Sequence, residues 1–371
     1  PKCEVSVILR KTSHRVLKKS IGTRPNVYYI NPYPKKALGG DIMELSITGT
    51  NAITYPVMHV WDWRVAIYLF LGGLSGGLMT MSAINYLRSE RKSGTIQSLC
   101  CWQIPLMAPI LLSIGLFFLW LDLERKLHGH LFYMTFKPLS PMSWGAWIIL
   151  LIYPVMILYA LASLPDEIKV KIKNTFIKNT ADAMAPYLSK LAKLNVVFGV
   201  LLSIYTGILL SSLVARPLWN SAILPLLFLA SGMSTGTAVM IIVAKNKEAK
   251  LFFTKLDIWL IIGEILIIAL MFYGHYTSNA AHQEAIMPFF NSSHDTFPYF
   301  LSIVVIGIVL PLAIILKFLE VRGQDTEKEI SRFGLILMNT SALLVLLGGA
   351  VIRFALVYAG QLSGYGNYTM M

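Results

Sequence analysis

The sequence predicts an all-α integral membrane protein with eight transmembrane helices in two four-helix bundles. Hydrophobic residues make up 56% of the 371 residues and charged residues only 14%, whereas a soluble domain carries about 25% charged residues. Eight apolar segments each come close to the ~20 residues that cross a bilayer as a helix. They lie at about residues 63–87, 100–122, 142–163, 190–213, 220–244, 256–274, 298–319 and 333–359.

The basic residues between these segments predict the orientation of the protein. The loops after segments 1, 3, 5 and 7, counted with Lys190 and Lys317 at the adjoining segment ends, hold sixteen lysines and arginines, whereas the other loops and the C-terminal tail hold four. Because short basic loops stay in the cytoplasm, we expect both termini on the outer side. The basic N-terminal tail argues the other way, but long tails direct topology less strongly than short loops.

The sequence divides into three parts. Residues 1–60 are polar, basic and rich in turns, and they predict an extended tail on a partner or on the membrane surface, with plain disorder as the alternative. Residues 61–190 are assigned to the first four-helix bundle, and residues 191–371 to the second bundle and the C-terminal tail.

A weak internal repeat relates the two halves of the membrane region. The tripeptide at Gly73 in segment 1 (GLS) resembles the tripeptide at Gly232 in segment 5 (GMS), 159 residues later. Small residues at such positions let helix backbones approach closely. The repeat therefore predicts two bundles of parallel topology, although small-residue strings also recur by chance in membrane helices.

Composition argues against several classes of ligand. The net charge of +13 is explained by topology signals and contact with anionic lipid, so we expect membrane lipid and no nucleic acid as a partner. Cys3, Cys100 and Cys101 lack metal-ligand spacing, so no metal site and no iron–sulfur cluster is expected in this protein. No haem is expected either, because the seven histidines lie in the tail, in loops or at segment ends.

Four ionisable side chains lie within or at the rims of the apolar segments: Asp122, Arg216, Glu264 and Arg353. A charge at the centre of a membrane helix costs about 2.5–3.5 kcal/mol on insertion scales, so such residues usually pair or serve transport. Glu264, near the middle of segment 6, is expected to relay protons or to pair internally with Arg353. Arg216 also fits a side chain that extends to the interface and anchors the topology.

The predicted topology brings further polar side chains to the outer leaflet. Tyr68 lies near the outer end of segment 1, segment 2 ends at Asp122, and Trp144 and Trp147 begin segment 3. A carboxyl group, a phenol and aromatic walls at the edge of an apolar bundle suit a quinone. Its reduction takes up two protons and needs a titratable group within hydrogen-bond distance, for which we predict Asp122 beside Tyr68.

Each of these residues also has a plainer interpretation. Trp144 and Trp147 fit an aromatic belt at the membrane interface, and Tyr68 fits ordinary packing. Asp122 fits a helix cap or an ion pair with Arg125.

Longer strings in the same regions resemble a known family. YLFLGGLSGG (68–77), LDLERKL (121–127), KPLSPMSWGAWIILLIYP (137–154) and RPLWNSAILPLLFLASG (216–232) are similar to the NrfD/PsrC family, typified by the membrane subunit of polysulfide reductase. The resemblance covers all eight segments, roughly residues 60–360. Many relatives read LDLGRP where this sequence has LDLERK, a difference that changes the loop after Asp122.

The resemblance implies a membrane anchor subunit of a multisubunit oxidoreductase in a prokaryotic plasma membrane. Such subunits bind no haem and exchange electrons with menaquinone or ubiquinone near the outer, periplasmic face. A four-cluster ferredoxin-like iron–sulfur subunit docks over that site, and a molybdopterin subunit carries out the terminal chemistry. By analogy the terminal substrate is sulfur or polysulfide. Whether proton translocation accompanies electron transfer stays open.

The resemblance also implies roles for individual residues. It places the quinone site at Asp122 and Tyr68, with a segment 3 tyrosine contributed by Tyr159 or Tyr153. It assigns a proton path to Arg216, Glu264 and Arg353.

Two other functions remain open on sequence grounds. A secondary transporter would also show repeats and buried charges, but such proteins often have helices broken at the midplane, and the prolines here do not pair between the halves. A purely structural anchor would tolerate replacement of the charged residues.

Overall fold

The computed structural model describes residues 61–93, 102–123, 126–134, 136–291, 297–324 and 332–363. The predicted tail at residues 1–60 lies outside the described residues. We name the long helices α1 to α8 in sequence order. They are α1 Trp63–Ser93, α2 Gln103–Asp122, α3 Pro141–Ala162, α4 Leu188–Ser211, α5 Leu224–Val243, α6 Lys247–Tyr276, α7 at residues 297–324 and α8 Arg332–Leu362.

Short helices join these long ones. Leu131–Met134 lies between α2 and α3, and Ala280–Phe290 lies between α6 and α7. The connection from α3 to α4 contains the helices Asp166–Lys171 and Thr175–Met184. Two single 3₁₀ turns, Lys126–His128 and Ala185–Tyr187, complete the helical elements of the described residues.

The membrane class of the protein follows from the length and composition of the helices. Within the described residues, α1 to α6 and α8 are each long and apolar enough to cross a membrane, and no strand is present. The protein is therefore an all-α, multi-pass membrane protein, as the sequence predicts. The grouping into two four-helix bundles and the count of eight crossings stay predictions.

The seventh predicted segment forms a helix with a change of winding. It begins as an α-helix at Phe297–Ser302, continues as a π-helix at Ile303–Val309 and returns to an α-helix at Leu310–Gln324. Gly307, in the π-helical part, packs so closely on α8 that a Cβ added to Gly348 would overlap its Cα atom. The locally wider winding thus coincides with a close backbone contact between α7 and α8.

The two glycine-rich strings of the predicted repeat pack against each other. Helix α1 crosses α5 with Gly77 opposite Gly232 and Gly236, and a Cβ on Gly77 would overlap the carbonyl oxygen of Gly232. On its other side α1 lies against α4, where a Cβ on Gly76 would stand 2.6 Å from the carbonyl oxygen of Gly199. Membrane helices associate through such close backbone contacts, so α1 is held between α4 and α5.

One end of the helix assembly is joined by hydrogen bonds and aromatic stacking. Trp61, just before α1, stacks on Trp219 of the α4–α5 loop with ring centroids 5.2 Å apart. Gln361 of α8 donates a hydrogen bond from Nε2 to the Trp61 carbonyl oxygen at 2.7 Å. We call this end the outer face, following the predicted orientation.

The opposite end is joined by charged side chains, and we call it the inner face. Arg88 of α1 lies 3.4 Å from Glu248 of α6, measured from Nη2 to Oε1. Lys250 of α6 donates a hydrogen bond from Nζ to Asn339 Oδ1 of α8 at 2.8 Å. Helix α1 therefore runs from the outer to the inner face, and α6 and α8 begin at the inner face.

Candidate functional site

Asp122 lies in a cluster of three charged residues at the outer face. Arg64 Nη2 stands 2.7 Å from Asp62 Oδ2 and 3.2 Å from Asp122 Oδ1. The same guanidinium donates from Nε to both oxygens of Asp62 at 3.0 and 2.8 Å, and from Nη1 to the Leu121 carbonyl oxygen at 3.0 Å. We call Asp62, Arg64 and Asp122 the outer charge cluster.

The local sequence explains how the cluster forms. Asp62 precedes α1, and its Oδ1 accepts a hydrogen bond from the Arg64 backbone N–H at 2.9 Å, which is the role of an N-cap residue. The Arg64 guanidinium holds the pKa of the Asp62 carboxyl group below its usual value. Asp122 is the last residue of α2, so the cluster joins the beginning of one helix to the end of the next. The alternative pairing of Asp122 with Arg125 involves a residue outside the described ones.

Tyr68 lies below the outer charge cluster, where α1 meets α2. It follows Arg64 by four residues, so both lie on one face of α1. An added Cβ on Gly115 of α2 would stand 3.6 Å from the Tyr68 carbonyl oxygen, and Gly115 precedes Asp122 by seven residues, about two helical turns. Tyr68, 4% exposed, is thus a buried phenol deeper in the membrane than Asp122.

Other tyrosines lie within electrostatic range of Tyr68, namely Tyr133 and Tyr205. Tyr153 of α3, one of the two predicted segment 3 tyrosines, also interacts with Tyr133, and its hydroxyl oxygen lies 2.9 Å from Ser113 Oγ of α2. The structure therefore brings Tyr153 to the region of Tyr68.

The other predicted aromatic residues occupy different environments. Trp147 has a buried Nε1 donor without a hydrogen-bond partner among the described residues, and its ring packs edge-on against Phe136 at 5.9 Å. Trp144 is 47% exposed and donates from Nε1 to the Pro138 carbonyl oxygen, which is typical of an interface residue. Tyr159 packs in a separate cluster with Tyr86, so the structure does not bring it to Asp122.

A second group of polar side chains is buried between α5, α6 and α8. Arg353 of α8 is fully buried and donates from Nη1 to Ser231 Oγ and, at 2.8 Å, to the Gly349 carbonyl oxygen. Glu264 of α6, 4% exposed, interacts with both Arg353 and the Ser231 side chain. No ion pair within 4.0 Å joins Glu264 to Arg353 in the described part of the protein, so the two charges interact across Ser231.

Asp257 belongs to the same group, and sequence reasoning missed it. It is fully buried, and its Oδ1 accepts a hydrogen bond from Ser234 Oγ at 3.0 Å, whereas Oδ2 has no partner among the described residues. Helix α6 begins at Lys247, nine residues before the predicted segment, so Asp257 lies well inside the helix rather than at its rim. The spacing of seven residues between Asp257 and Glu264, about two turns on one helix face, was the available signal. We call Ser231, Ser234, Asp257, Glu264 and Arg353 the buried polar group.

The Arg353 guanidinium also contacts the first half of the protein. A Cβ on Gly73 of α1 would stand 2.9 Å from Arg353 Nη2. The guanidinium carbon lies 5.4 Å from the ring centroid of Phe228 and 5.9 Å from that of Phe70, within cation–π range. Arg353 Nε and Nη2 have no hydrogen-bond partner among the described residues, so the two Nη1 hydrogen bonds, the rings and Glu264 together stabilise the charge.

Arg216 lies in the α4–α5 loop at the outer face, and its part in a proton path stays a prediction. Its Nη1 donates to the carbonyl oxygens of Gln361 at 2.9 Å and Ser363 at 2.8 Å, and burial lowers the pKa of its guanidinium. Cationic side chains stabilise the carbonyl groups at a helix C-terminus. The described contacts of Arg216 thus join the α4–α5 loop to the end of α8 at the outer face.

The fold and the two polar regions define a class, a multi-pass membrane protein with titratable side chains between its helices. Residues 51–363 match the family described as "Polysulphide reductase, NrfD". The sequence is 29% identical to the C subunit of the polysulfide reductase of Wolinella succinogenes over 318 residues, 81% of this protein and 94% of the relative. It is 28% identical to protein NrfD of Escherichia coli over 331 residues, 85% of this protein and 99% of the relative.

The protein belongs to the NrfD polysulphide reductase family, because the family match covers most of its length. This membership supports a membrane subunit of a redox complex.

Proposed function

We propose that this protein is the quinone-reactive membrane subunit of an oxidoreductase complex, exchanging electrons between a menaquinone or ubiquinone in the bilayer and an iron–sulfur partner subunit. The proposal rests on the position of Asp122. Its side chain is 12% exposed, lies at the end of a membrane helix and stands above the buried phenol of Tyr68.

The residues present fit a quinone as substrate. A quinone has two carbonyl oxygens and a lipid tail, so it needs hydrogen-bond donors at the membrane edge and apolar walls beside them. Tyr68, Tyr153 and Ser113 supply hydroxyl groups, and Trp147 supplies a buried N–H donor without a partner among the described residues. Asp122 supplies the titratable group.

The chemistry assigned to these residues is proton exchange. Oxidation of a quinol releases two electrons and two protons. In the proposed reaction the two O–H bonds of the quinol break in turn, each proton passes to Asp122 and from it to water, and the two electrons pass to the iron–sulfur subunit. For quinone reduction the same steps run in reverse, and Asp122 donates the proton.

The relatives support the proposed partners and location. The name of the Wolinella succinogenes relative, the C component of a polysulfide reductase, supports a complex with further subunits and sulfur or polysulfide as the terminal substrate. We place an iron–sulfur subunit and a molybdopterin subunit on the outer face, with both termini outside a prokaryotic plasma membrane.

A proton route through the second half of the protein is a further part of the proposal. Glu264 and Arg353, together with Asp257, provide titratable and charged groups in the membrane interior, where such groups are costly unless they are used. Arg216, in the α4–α5 loop at the outer face, is proposed as the outer end of this route.

The substitution Asp122→Asn tests the quinone site. It keeps the shape of the side chain and removes the proton acceptor, so we expect quinol-linked activity to fall at least about tenfold, or about 1.4 kcal/mol of barrier, in a complex that still assembles. Electron transfer from a short-chain quinol analogue to the iron–sulfur clusters of the purified complex measures the effect.

Asp182→Asn is the matched control. Asp182 lies 3.3 Å from Lys169 Nζ, a spacing close to that of Asp122 and Arg64, but belongs to the connection between α3 and α4. Its substitution should leave turnover within about twofold, the spread expected of a surface ion pair. Normal turnover in a well-assembled Asp122→Asn complex would remove Asp122 from the site.

A further inference from the structure

Arg64 is the centre of the outer charge cluster. The sequence alone gave no reason to select it as a functional residue. Two carboxylates, Asp62 and Asp122, share its single guanidinium, so the cluster carries a net charge of −1 when all three groups are ionised. The contacts are unequal. Asp62 engages both Nε and Nη2 at 2.7–3.0 Å, whereas Asp122 has one contact, at 3.2 Å.

This asymmetry gives the three residues different tasks. The two-oxygen contact with Asp62 and the Nη1 hydrogen bond to Leu121 fix the guanidinium at the outer face. Its orientation therefore does not depend on Asp122. When Asp122 takes up a proton and loses its attraction to Arg64, the guanidinium keeps its other partners and remains in place for the next turnover.

Resting on the proposed function, we propose that Arg64 is a positioning residue of the quinone site, fixed by Asp62, which orients Asp122 and keeps it ionised between proton transfers. During quinol oxidation each of the two protons in turn leaves its quinol oxygen and bonds to Asp122, and it then passes to water beside Asp62, whose side chain is 35% exposed. The electrons leave separately to the iron–sulfur subunit.

The charged surroundings of Asp122 make the proposal testable by pH. From the beginning of α1, the Arg64 cation lies 3.2 Å from Asp122 and the Asp62 carboxylate is held by the same guanidinium. On the α2 side Lys126 lies over the Trp120 ring, with its ammonium 6.0 Å from the ring centroid. A neighbouring cation favours the ionised form of a carboxyl group and a neighbouring anion disfavours it. Removal of Arg64 and removal of the Asp62 charge should therefore have opposite effects.

The experiment measures the pH profile of iron–sulfur cluster reduction by a short-chain quinol analogue in the purified complex. For Arg64→Met we expect the acid limb to move to higher pH, with activity about fivefold lower at the pH where the wild type is half-maximal and within about twofold of it on the alkaline plateau. Arg64→Lys should restore most of the profile. Asp62→Asn, which remains a good N-cap, should move the acid limb to lower pH.

The control is Arg88→Met. Arg88 has a similar exposure, 31%, and pairs with Glu248 at the inner face, so its loss should not move the pH profile.

If Arg64→Met fails to assemble, Asp62→Asn alone tests the proposal, and an unchanged profile or a shift to higher pH overturns it. If Asp122→Asn keeps full activity, Asp122 does not belong to the quinone site, and the proposed function loses the observation on which it rests. If Asp122→Asn is inactive but both neighbours leave the profile unmoved, only the role of Arg64 fails.

Discussion

The substitution Glu264→Gln distinguishes a proton carrier from a structural ion pair. Removing one partner of a directly paired buried ion pair typically costs about 3–5 kcal/mol, because the other charge is left without compensation. The structure indicates a smaller cost here. Arg353 keeps its hydrogen bonds to Ser231 and Gly349, and no direct contact within 4.0 Å joins Glu264 to Arg353 among the described ion pairs.

Glutamine has the shape of glutamate and keeps a polar carbonyl group beside Ser231. We therefore expect Glu264→Gln to destabilise the protein by less than about 1.5 kcal/mol, the net value of a typical hydrogen bond, and to assemble at the wild-type level. Because glutamine does not carry a proton, proton uptake coupled to turnover should fall at least about tenfold. Thermal unfolding in detergent gives the first quantity, and a pH-sensitive dye in proteoliposomes gives the second.

The double variant Glu264→Gln with Arg353→Gln completes the test. If the two residues form a structural pair, the single change should unfold the protein and the double change should restore both assembly and activity. If Glu264 moves protons, the double change should not recover proton uptake. Full proton uptake in a stable Glu264→Gln protein would refute the proton route.

Two further predictions concern packing and cofactors. Gly77→Ala should destabilise the protein by about 1–3 kcal/mol, because its Cβ would overlap the Gly232 carbonyl oxygen. The control Gly263→Ala should be neutral, because nothing lies within 4 Å of the added Cβ. Thermal unfolding in detergent compares the two variants, and equal stabilities would contradict the close α1–α5 contact. The purified protein should show no b-type α-band in a reduced-minus-oxidised spectrum, and a band at one haem or more per molecule would contradict the expectation drawn from the histidine positions.

The sequence was sufficient for the membrane class because hydrophobic length and charge composition are properties of single segments. It also identified Glu264 and Arg353, since charges within apolar segments are conspicuous. It placed the beginning of α6 too late, because Lys250 and Lys255 read as loop residues although their helix starts at Lys247. That boundary placed Asp257 at the edge of the predicted membrane segment, where a carboxylate is common and does not indicate a functional site.

The outer charge cluster could not be read from the sequence for a different reason. Arg64 and Asp122 are 58 residues apart, and their contact depends on how the beginning of α1 meets the end of α2. Arg64 also follows Asp62 by two residues, a pattern that resembles an ordinary charged helix start. The choice between Tyr153 and Tyr159 also depends on how helices meet, because only the packing of α3 shows which of them lies near Tyr68.

Helix α1 links the two polar regions of the molecule. Arg64 belongs to the outer charge cluster and Gly73 borders Arg353, nine residues or about 13.5 Å along the helix axis. That separation exceeds any hydrogen bond, so coupling between quinone chemistry and the buried polar group requires side chains between them. Tyr68 and Tyr205 interact in this interval, and Ser203 Oγ lies 3.5 Å from the Gly73 carbonyl oxygen. If the two regions are coupled, we expect substitutions on the polar face of α4, such as Ser203→Ala, to weaken that coupling.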